Sequence, residues 1–147
     1  MKDHAERLDI DKIVAIFDCD REGMNQIKSL QSQREEYELF NEGEGSLKHR
    51  HKDIFVMSLV PSDFRKKFVT MSANYEWCYL TTELLYQDNI IPTINRKRVA
   101  PDSTLFQFRG KKTNFLNKVK GVDGSVDFSG FKPTWDKIES IAKVLDQ

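Results

Sequence analysis

The sequence predicts one α/β domain with an at least partly parallel sheet and a mainly helical C-terminal half. Two continuous apolar runs, Ile13–Phe17 and Ile54–Val60, have the length and composition of strands that are buried on both faces. Between them lies a helical pattern over residues 22–40, and a strand–helix–strand order favours a parallel crossover. Because 39% of the 147 residues are hydrophobic, we expect residues 1–147 to form a single domain with one core.

Each element of the first half follows from a local pattern. The second strand ends at Pro61, a residue that cannot donate to a strand ladder. A loop is expected over residues 41–46, where asparagine, glutamate and glycine alternate. The preceding helix has apolar residues at the spacing of a single buried face, namely Met24, Ile27, Leu30, Tyr37 and Phe40.

Helical patterns dominate the second half. We expect one helix over Tyr75–Tyr86 and another over Lys111–Val119, directly after Gly110. A last helix is expected to begin near Pro133, since proline suits the first turn of a helix. Two prolines predict a loop over residues 89–103.

Composition and charge exclude several classes of protein. The 23 basic and 23 acidic side chains cancel, which excludes a histone-like polycation. The charges are unevenly distributed, because residues 1–60 hold 9 Lys/Arg against 13 Asp/Glu whereas residues 61–147 hold 14 against 10. The charged N-terminus is unlike a signal peptide, and no apolar run has the length of a membrane span. We therefore expect a soluble, cytoplasmic protein without a membrane partner.

The strongest functional signal is the segment Phe17–Gly23, which follows the first apolar run. Asp18 and Asp20 are two positions apart, so in an extended backbone their side chains point to the same side, at the end of a strand where α/β sheets place their sites. Neighbouring carboxylates repel each other unless a cation lies between them, and their oxygens suit Mg²⁺ or Mn²⁺. The pattern therefore predicts a metal site; the alternative is an acidic strand end that only faces solvent.

Three families carry Asp-x-Asp at such a place. An EF-hand is excluded, because the twelfth position of that loop is Ser29 rather than a bidentate glutamate. A haloacid-dehalogenase phosphatase is an alternative, but Arg21–Gly23 replaces the small residues usual in that motif. The segment Ile13–Gly23 instead resembles the DxDxxG strand of the Toprim fold, a Rossmann-like fold found in topoisomerases, primases and OLD-type (overcoming-lysogenization-defect) nucleases.

Later segments resemble the OLD-type branch in their order along the chain. They are the strand that ends at Pro61, a helix with the internal glutamate Glu83, the Gly-Lys-Lys segment 110–112 and the segment 127–131. The resemblance covers about residues 12–145. It implies a DNA nuclease that cleaves phosphodiesters with Mg²⁺ or Mn²⁺, often paired with an ATPase domain or subunit. This chain contains no G-x-x-x-x-G-K-[ST] motif of its own.

The resemblance also assigns roles to individual residues. It implies that Asp18, Asp20 and Glu83 bind the metal. It further implies that Lys112, or its neighbour Lys111, stabilises negative charge on the phosphate during metal-assisted hydrolysis.

The sequence departs from the Toprim pattern at its start. The Toprim fold begins with a strand that ends in Glu-Gly and supplies a general base or a metal ligand, whereas only Met1–Lys12 precede the Asp-x-Asp strand here. Two Glu-Gly pairs, at 42–43 and 44–45, follow that strand in a polar loop and cannot replace it. We therefore expect the C-terminal part of a Toprim domain, with little or no cleavage in isolation. The competing hypothesis is a non-catalytic DNA- or protein-interaction module of a larger ATPase-linked assembly.

The basic charge is concentrated in residues 96–120, where eight Lys/Arg face the single acid Asp102. Such a segment can neutralise phosphates irrespective of base sequence. We expect the phenylalanines within it to belong to the core. Outside the two candidate catalytic lysines, the candidate nucleic-acid-binding residues are Arg96, Lys97, Arg98, Arg109, Lys118 and Lys120.

Histidines and cysteines give no separate site. His4, His49 and His51 have no cysteine or third ligand at useful spacing and are expected to be ordinary surface residues. Cys19 is expected to point away from the two aspartates into the core. Cys78 is expected on a helix without a nearby histidine, so no cysteine nucleophile is predicted.

Overall fold

The computed structural model describes residues 12–40, 46–69, 78–121 and 126–145. The chain has the mixed α/β class that the sequence predicts, with a sheet of both parallel and antiparallel pairs. The strands are β1 (Ile13–Phe17), β2 (Cys19–Asp20), β3 (Tyr37–Leu39), β4 (Leu47–His49), β5 (Ile54–Ser58), β6 (Tyr79–Leu80), β7 (Arg96–Arg98) and β8 (Phe106–Phe108). The α-helices are α1 (Arg21–Ser32), α2 (Lys112–Lys120) and α3 (Lys132–Leu145), and 3₁₀ turns cover Asp63–Phe68, Thr82–Leu85, Thr93–Asn95 and Ser129–Phe131.

The central sheet has the strand order β1-β5-β4-β3. The predicted parallel pair is confirmed, because β1 and β5 run side by side from Ile13 opposite Ile54 to Phe17 opposite Ser58. The remaining pairs, β5 with β4 and β4 with β3, are antiparallel. The crossover from β1 to β5 therefore consists of helix α1 followed by a hairpin.

The helix predicted up to Phe40 ends at Ser32 instead. Gln33 leaves the helical region of backbone angles, and residues 37–39 pair with β4 as a strand. Tyr37, which sequence periodicity assigns to the helix, packs edge-on against His49, with 5.0 Å between ring centroids. Cross-strand packing of this kind overrides a local helical pattern.

Strand β5 divides the core into two layers. Val56 lies in the large apolar cluster that also contains Met24 and Ile27 of α1. Its neighbours Phe55 and Met57 point to the opposite face and pack with Ile141 of α3. Strand β5 is thus buried on both faces, as predicted, with a helix on each side.

Strand β1 is more exposed than predicted. Within the described residues it pairs with β5 along one edge, and no strand of the sheet lies along its other edge. Ile13 and Ile16 are consequently 43% and 41% exposed. The prediction of burial on both faces is therefore wrong for β1. A continuous apolar run indicates burial on both faces for a strand inside the sheet, whereas β1 is an edge strand of the described sheet.

The helix predicted over Tyr75–Tyr86 is absent from its described part, residues 78–86. Tyr79–Leu80 form a strand, β6, which pairs antiparallel with β2 and places Leu80 opposite Cys19. The following 3₁₀ turn, Thr82–Leu85, carries Glu83, and we refer to it as the Glu83 turn. Residues 75–77 lie outside the described part of the chain.

The loop predicted over residues 89–103 is also more ordered than its prolines indicate. Arg96–Arg98 form β7, which pairs antiparallel with β8, a strand that the sequence analysis did not predict. In the basic segment, Phe106 and Phe115 are buried in the large cluster, and the partly buried Phe108 packs against it. The expectation that the phenylalanines of the basic segment belong to the core is confirmed for Phe106 and Phe115.

The last two helices agree closely with the sequence patterns. Helix α2 begins one residue after its predicted start, and α3 begins at Lys132, next to Pro133. Thr134 of α3 bonds the end of β5: its hydroxyl accepts from the Val60 N–H at 2.9 Å. No helix in the described ranges is long and apolar enough to cross a membrane.

The histidines occupy different environments. His49 is 7% exposed, so the prediction of a surface residue is wrong for it. It lies between Tyr37 and His51, and its Nδ1 accepts a hydrogen bond from the His51 N–H. His4 and both Glu-Gly pairs lie outside the described residues.

Candidate functional site

The Asp-x-Asp segment forms the junction between β1 and α1. Asp20 is the N-cap of α1, and its Oδ1 accepts a hydrogen bond of 2.8 Å from the Gly23 N–H. At Gly23, a Cβ atom would lie 2.0 Å from the carbonyl oxygen of Asp18, so only glycine fits this close approach. The spacing of the motif is therefore explained by a tight strand-to-helix turn.

Asp18 is held toward the Glu83 turn. Its Oδ1 accepts from the backbone N–H of Thr82 at 3.1 Å and from the Thr82 hydroxyl at 3.2 Å. Its other oxygen, Oδ2, lies 3.7 Å from the Nζ of Lys112. Burial raises the pKa of Asp18, against the opposing effects of Lys112 and of the hydrogen bonds from Thr82.

Glu83 approaches the same lysine from a different segment. Its Oε1 lies 3.5 Å from Lys112 Nζ, and its side chain is only 6% exposed. Its second oxygen, Oε2, is buried and accepts no hydrogen bond from the described part of the chain. A buried carboxylate oxygen without a donor is costly, which makes Glu83 a candidate ligand for a cation.

Lys112 completes a cluster with Asp18 and Glu83 that we call the acid–lysine site. Its side chain is 61% exposed and begins in the first turn of α2. Although partial burial works against the ammonium form, the carboxylates of Glu83 and Asp18 raise the pKa of Lys112. Of the two lysines that the sequence left open, Lys112 is the one at the carboxylates, and Lys111 lies elsewhere.

Asp20 stands at the margin of this cluster. One of its oxygens is used by the helix cap. It lines a cleft of about 530 Å³ together with Tyr79, Thr81 and Phe108. In the structure, Asp18 and Glu83 thus both lie next to the ammonium group of Lys112, whereas Asp20 lines the cleft of about 530 Å³.

Arg65, which was not predicted from the sequence, holds the backbone of the Glu83 turn and of the residue that follows it. The Arg65 side chain is 2% exposed and forms an ion pair with Asp88 at 2.7 Å. Its Nε donates to the Leu84 carbonyl at 2.6 Å and its Nη2 to the Tyr86 carbonyl at 2.8 Å. These bonds hold the backbone on the C-terminal side of Glu83. No local motif marks this residue, since its partners lie about 20 positions away in sequence.

Arg65 is also stacked among aromatic rings. Its guanidinium carbon lies 4.9 Å from the ring centroids of both Phe64 and Phe68 and 5.4 Å from that of Phe106. Arginine tolerates such burial because its planar group can stack and form several hydrogen bonds at once.

The cysteines do not form a nucleophilic site. Cys19 and Cys78 are both buried and form no disulfide, and the burial of Cys19 confirms its expected orientation. Burial, together with the adjacent Cys78, raises the pKa of Cys19 to about 12. Such a thiol is not ionised at neutral pH. Cys78 precedes a strand and does not lie on the helix that was predicted for it.

The donor set of the acid–lysine site suits a hard cation. The described residues contain no group of three or more His, Cys, Asp and Glu side chains arranged to hold a metal. Two carboxylates with one unpaired buried oxygen nevertheless fit Mg²⁺ or Mn²⁺, because Mg²⁺ is commonly held by one or two carboxylates and keeps several waters. The residues present therefore fit the implied metal as a two-carboxylate site.

A second cleft, of about 510 Å³, lies between the turn Thr93–Asn95 and helix α2, and we call it the α2 cleft. None of the described residues that line it is acidic. At its edge, Gly110 has a φ of 121°, and a Cβ there would meet Asn95 Nδ2 at 2.7 Å. The polar residues that line it are Asn95, Arg109, Lys111, Asn114, Asn117 and Lys118.

The other predicted nucleic-acid-binding residues are arranged differently. Arg96 donates to the carbonyls of Ile91 and Asp88 and stacks on Phe106, so its guanidinium is largely occupied within the protein. Arg98 donates to the Pro101 carbonyl at 3.4 Å. Lys97 and Lys120 are exposed but do not line the α2 cleft.

The chain was compared with protein-family models, curated proteins and solved structures, and none of the three comparisons gives a match.

Proposed function

We propose that this chain is a Toprim-like domain of the OLD nuclease type that binds Mg²⁺ or Mn²⁺ and cleaves phosphodiester bonds of DNA. The observation that carries the proposal is the acid–lysine site. Asp18, Glu83 and Lys112 come from three segments that are far apart in sequence. In the structure, one carboxylate oxygen of Asp18 and one of Glu83 lie 3.7 and 3.5 Å from the ammonium nitrogen of Lys112. Structural ion pairs rarely leave a buried carboxylate oxygen unpaired, as Glu83 Oε2 is here.

Each residue has a defined task in this proposal. Asp18 and Glu83 bind the ion, and the Thr82 hydrogen bonds orient Asp18. Asp20 keeps the turn closed by capping α1. Lys112 places a positive charge where negative charge develops on the phosphate in the transition state. When bound, the ion would supply an activated water and polarise the phosphate.

The α2 cleft provides a path for the rest of the nucleic acid. Lys111, Asn114 and Lys118 are three and four positions apart, so they share one face of α2, and Lys112 lies next to that face. A strand with its scissile phosphate at Lys112 would place neighbouring phosphates along these lysines. Because the lining residues in the described part of the chain include no acid, the cleft suits a polyanion without any metal.

The same cleft favours the second candidate function, a non-catalytic DNA-binding module. Its cations are separate from the carboxylates, so DNA binding by the cleft does not depend on the acid–lysine site. The two functions differ in one measurable property: the module binds DNA in the presence of a chelator and never cleaves it.

The test combines metal binding with cleavage. Mn²⁺ is titrated calorimetrically into the wild-type chain and into Asp18→Asn, Glu83→Gln and Asp136→Asn, and each protein is then assayed for nicking of supercoiled plasmid. Asp136 is a matched control, since it is exposed and paired with Lys132, away from the site. We expect the first two variants to lose Mn²⁺ affinity by about a hundredfold or more, because even outer-shell partners of a metal are worth 10- to 100-fold. Because the chain is expected to cleave little in isolation, nicking is assayed with the missing Glu-Gly strand supplied, and we expect both variants to abolish it.

Two results would contradict the nuclease proposal. Equal Mn²⁺ binding in Asp18→Asn, Glu83→Gln and the wild type would remove the metal site. Mn²⁺ binding by the wild type without nicking, even after the missing Glu-Gly strand is supplied, would favour the DNA-binding module.

A further inference from the structure

The side chain of Lys112 is the cation that the structure places against both Asp18 and Glu83. The N–O distances of 3.7 and 3.5 Å are longer than the ~2.7–2.9 Å of a well-formed ammonium–carboxylate hydrogen bond. The lysine side chain is 61% exposed, so it can leave the site without disturbing buried packing. Lys112 therefore compensates the two carboxylates electrostatically but is held only loosely.

The carboxylates, in contrast, cannot leave. Glu83 is buried on a turn whose backbone is fixed by Arg65, and Asp18 is held by Thr82. A buried carboxylate needs a compensating cation, because an uncompensated charge in the interior is costly. Asp18 and Glu83 thus form a fixed anionic site, which we call the anionic receptor. Its counter-charge in this structure is the ammonium group of Lys112, which can move away.

We propose that Lys112 is an exchangeable internal counter-ion: its ammonium group occupies the anionic receptor formed by Asp18 and Glu83 until a divalent cation replaces it, and the released lysine then becomes available to a phosphate. This inference rests on the proposed metal site. It adds that metal and Lys112 exclude one another at the carboxylates, since two cations at such short range repel.

The exchange has a thermodynamic consequence. Because coupling between two ligands is reciprocal, the attraction of Lys112 for the carboxylates weakens metal binding by the same factor by which the metal weakens the hold on Lys112. In the absence of metal, Lys112 is neutralised by Asp18 and Glu83 and contributes little to phosphate binding. Metal loading and phosphate binding are therefore linked through one side chain.

The first experiment measures Mn²⁺ affinity of the full chain by calorimetry. Lys112→Met removes the competing charge and keeps a flexible apolar side chain; we expect Mn²⁺ to bind about three- to tenfold more tightly, as expected for removal of a nearby like charge. Lys112→Arg keeps the charge and is expected to bind Mn²⁺ with nearly wild-type affinity. Lys111→Met is the matched control on the same helix, and we expect its Mn²⁺ affinity to equal that of the wild type.

A second measurement needs no substitution in the test protein and covers the case in which Lys112→Met fails to fold. The lysines of the wild-type chain are reductively ¹³C-methylated, and the Lys112 signal, assigned with Lys112→Arg, is followed by NMR while Mg²⁺ is added. We expect the signal to move to the position of fully exposed lysines as the site fills.

The outcomes separate this inference from the function on which it rests. Unchanged or weaker Mn²⁺ affinity in Lys112→Met, or a Lys112 signal that does not move while Mg²⁺ binds, overturns the counter-ion role and leaves the metal site intact. Absence of Mn²⁺ binding in the wild type and in every variant overturns both.

Discussion

Two cations contact the segment around the Glu83 turn, and they differ in burial and in the length of their contacts. Arg65 is 2% exposed and is bonded to Leu84, Tyr86 and Asp88 at 2.6–2.8 Å. Lys112 is 61% exposed and lies 3.5 Å or more from its two carboxylates. Each of the three guanidinium nitrogens of Arg65 contacts a protein oxygen at hydrogen-bonding distance, whereas the ammonium group of Lys112 has only the two longer contacts to Asp18 and Glu83 among the described ion pairs.

The difference shows how structural and functional charges can be told apart. A buried cation with short bonds to backbone carbonyls is part of the fold, because its removal leaves those carbonyls unsatisfied. An exposed cation with long contacts to a carboxylate that still lacks a donor is available for exchange. The three predictions that follow test this distinction at Arg65, along the lysines of the α2 cleft and at Asp18.

The largest effect is expected for Arg65→Met. Methionine keeps the contacts with the phenylalanine rings but leaves two buried carbonyls without donors, at a cost of about 2–5 kcal/mol in the free energy of unfolding. Thermal denaturation followed by circular dichroism measures the loss. Lys67→Met, on the same 3₁₀ turn but exposed, is the control and should stay within about 0.5 kcal/mol of the wild type. A similar melting temperature for the two variants would show that Arg65 contributes no more to the stability of the fold than an exposed lysine does.

An intermediate effect is expected from the double variant Lys111→Ala/Lys118→Ala. Both lysines line the α2 cleft, so their removal should weaken binding of single-stranded DNA about tenfold and lower the salt dependence of binding by about one phosphate contact per lysine. Fluorescence anisotropy at several salt concentrations, with a chelator present, measures both quantities. The charge-matched control is Lys28→Ala/Lys143→Ala, on the exposed faces of α1 and α3. Equal losses in the two double variants would mean that the cleft contributes only net charge.

The smallest effect is expected for Asp18→Asn on stability. Burial raises the pKa of Asp18 above 3.8, so the folded state holds this proton more tightly than the unfolded state does. The ionised carboxyl therefore lowers stability as the pH rises through the folded pKa, and the neutral amide avoids that penalty. We expect Asp18→Asn to be slightly more stable than the wild type at about pH 7 and to lose that advantage below about pH 4. Urea denaturation at both pH values tests this, and a less stable variant at neutral pH would contradict it.

The parallel part of the fold could be predicted from the sequence, and the region around Glu83 could not. Ile13–Phe17 and Ile54–Ser58 are apolar runs that pair with each other, so a local pattern predicts both strands, although it overestimates the burial of the first. Residues 78–86 are apolar at helical spacing, yet β6 pairs with β2 and Arg65 holds the following turn. Those interactions come from distant residues, and periodicity carries no information about them.

The candidate site shows the same division. The Toprim resemblance implied Asp18, Asp20, Glu83 and either Lys111 or Lys112 as members of one site, and in the structure Asp18 and Glu83 lie beside Lys112. It could not predict that Asp20 would use an oxygen to cap α1, or choose between Lys111 and Lys112, because both depend on how α1 and α2 begin. Arg65 was not predicted at all, since an isolated arginine in sequence gives no sign of its burial.

The long sequence separation within the acid–lysine site has a consequence for how the protein acquires it. Asp18 meets Thr82, 64 positions along the chain, and then Lys112, which lies beyond the β7–β8 hairpin. Contacts between residues so far apart in sequence require long loops to close, which lowers the entropy of the chain. We therefore expect them to form only after the packing of the surrounding core has offset that entropy loss. A partly folded chain with only β1, α1 and β5 in place would contain the Asp-x-Asp turn but no receptor for a cation. The proposed metal affinity is therefore expected to be the last property gained on refolding and the first lost when the C-terminal half loosens.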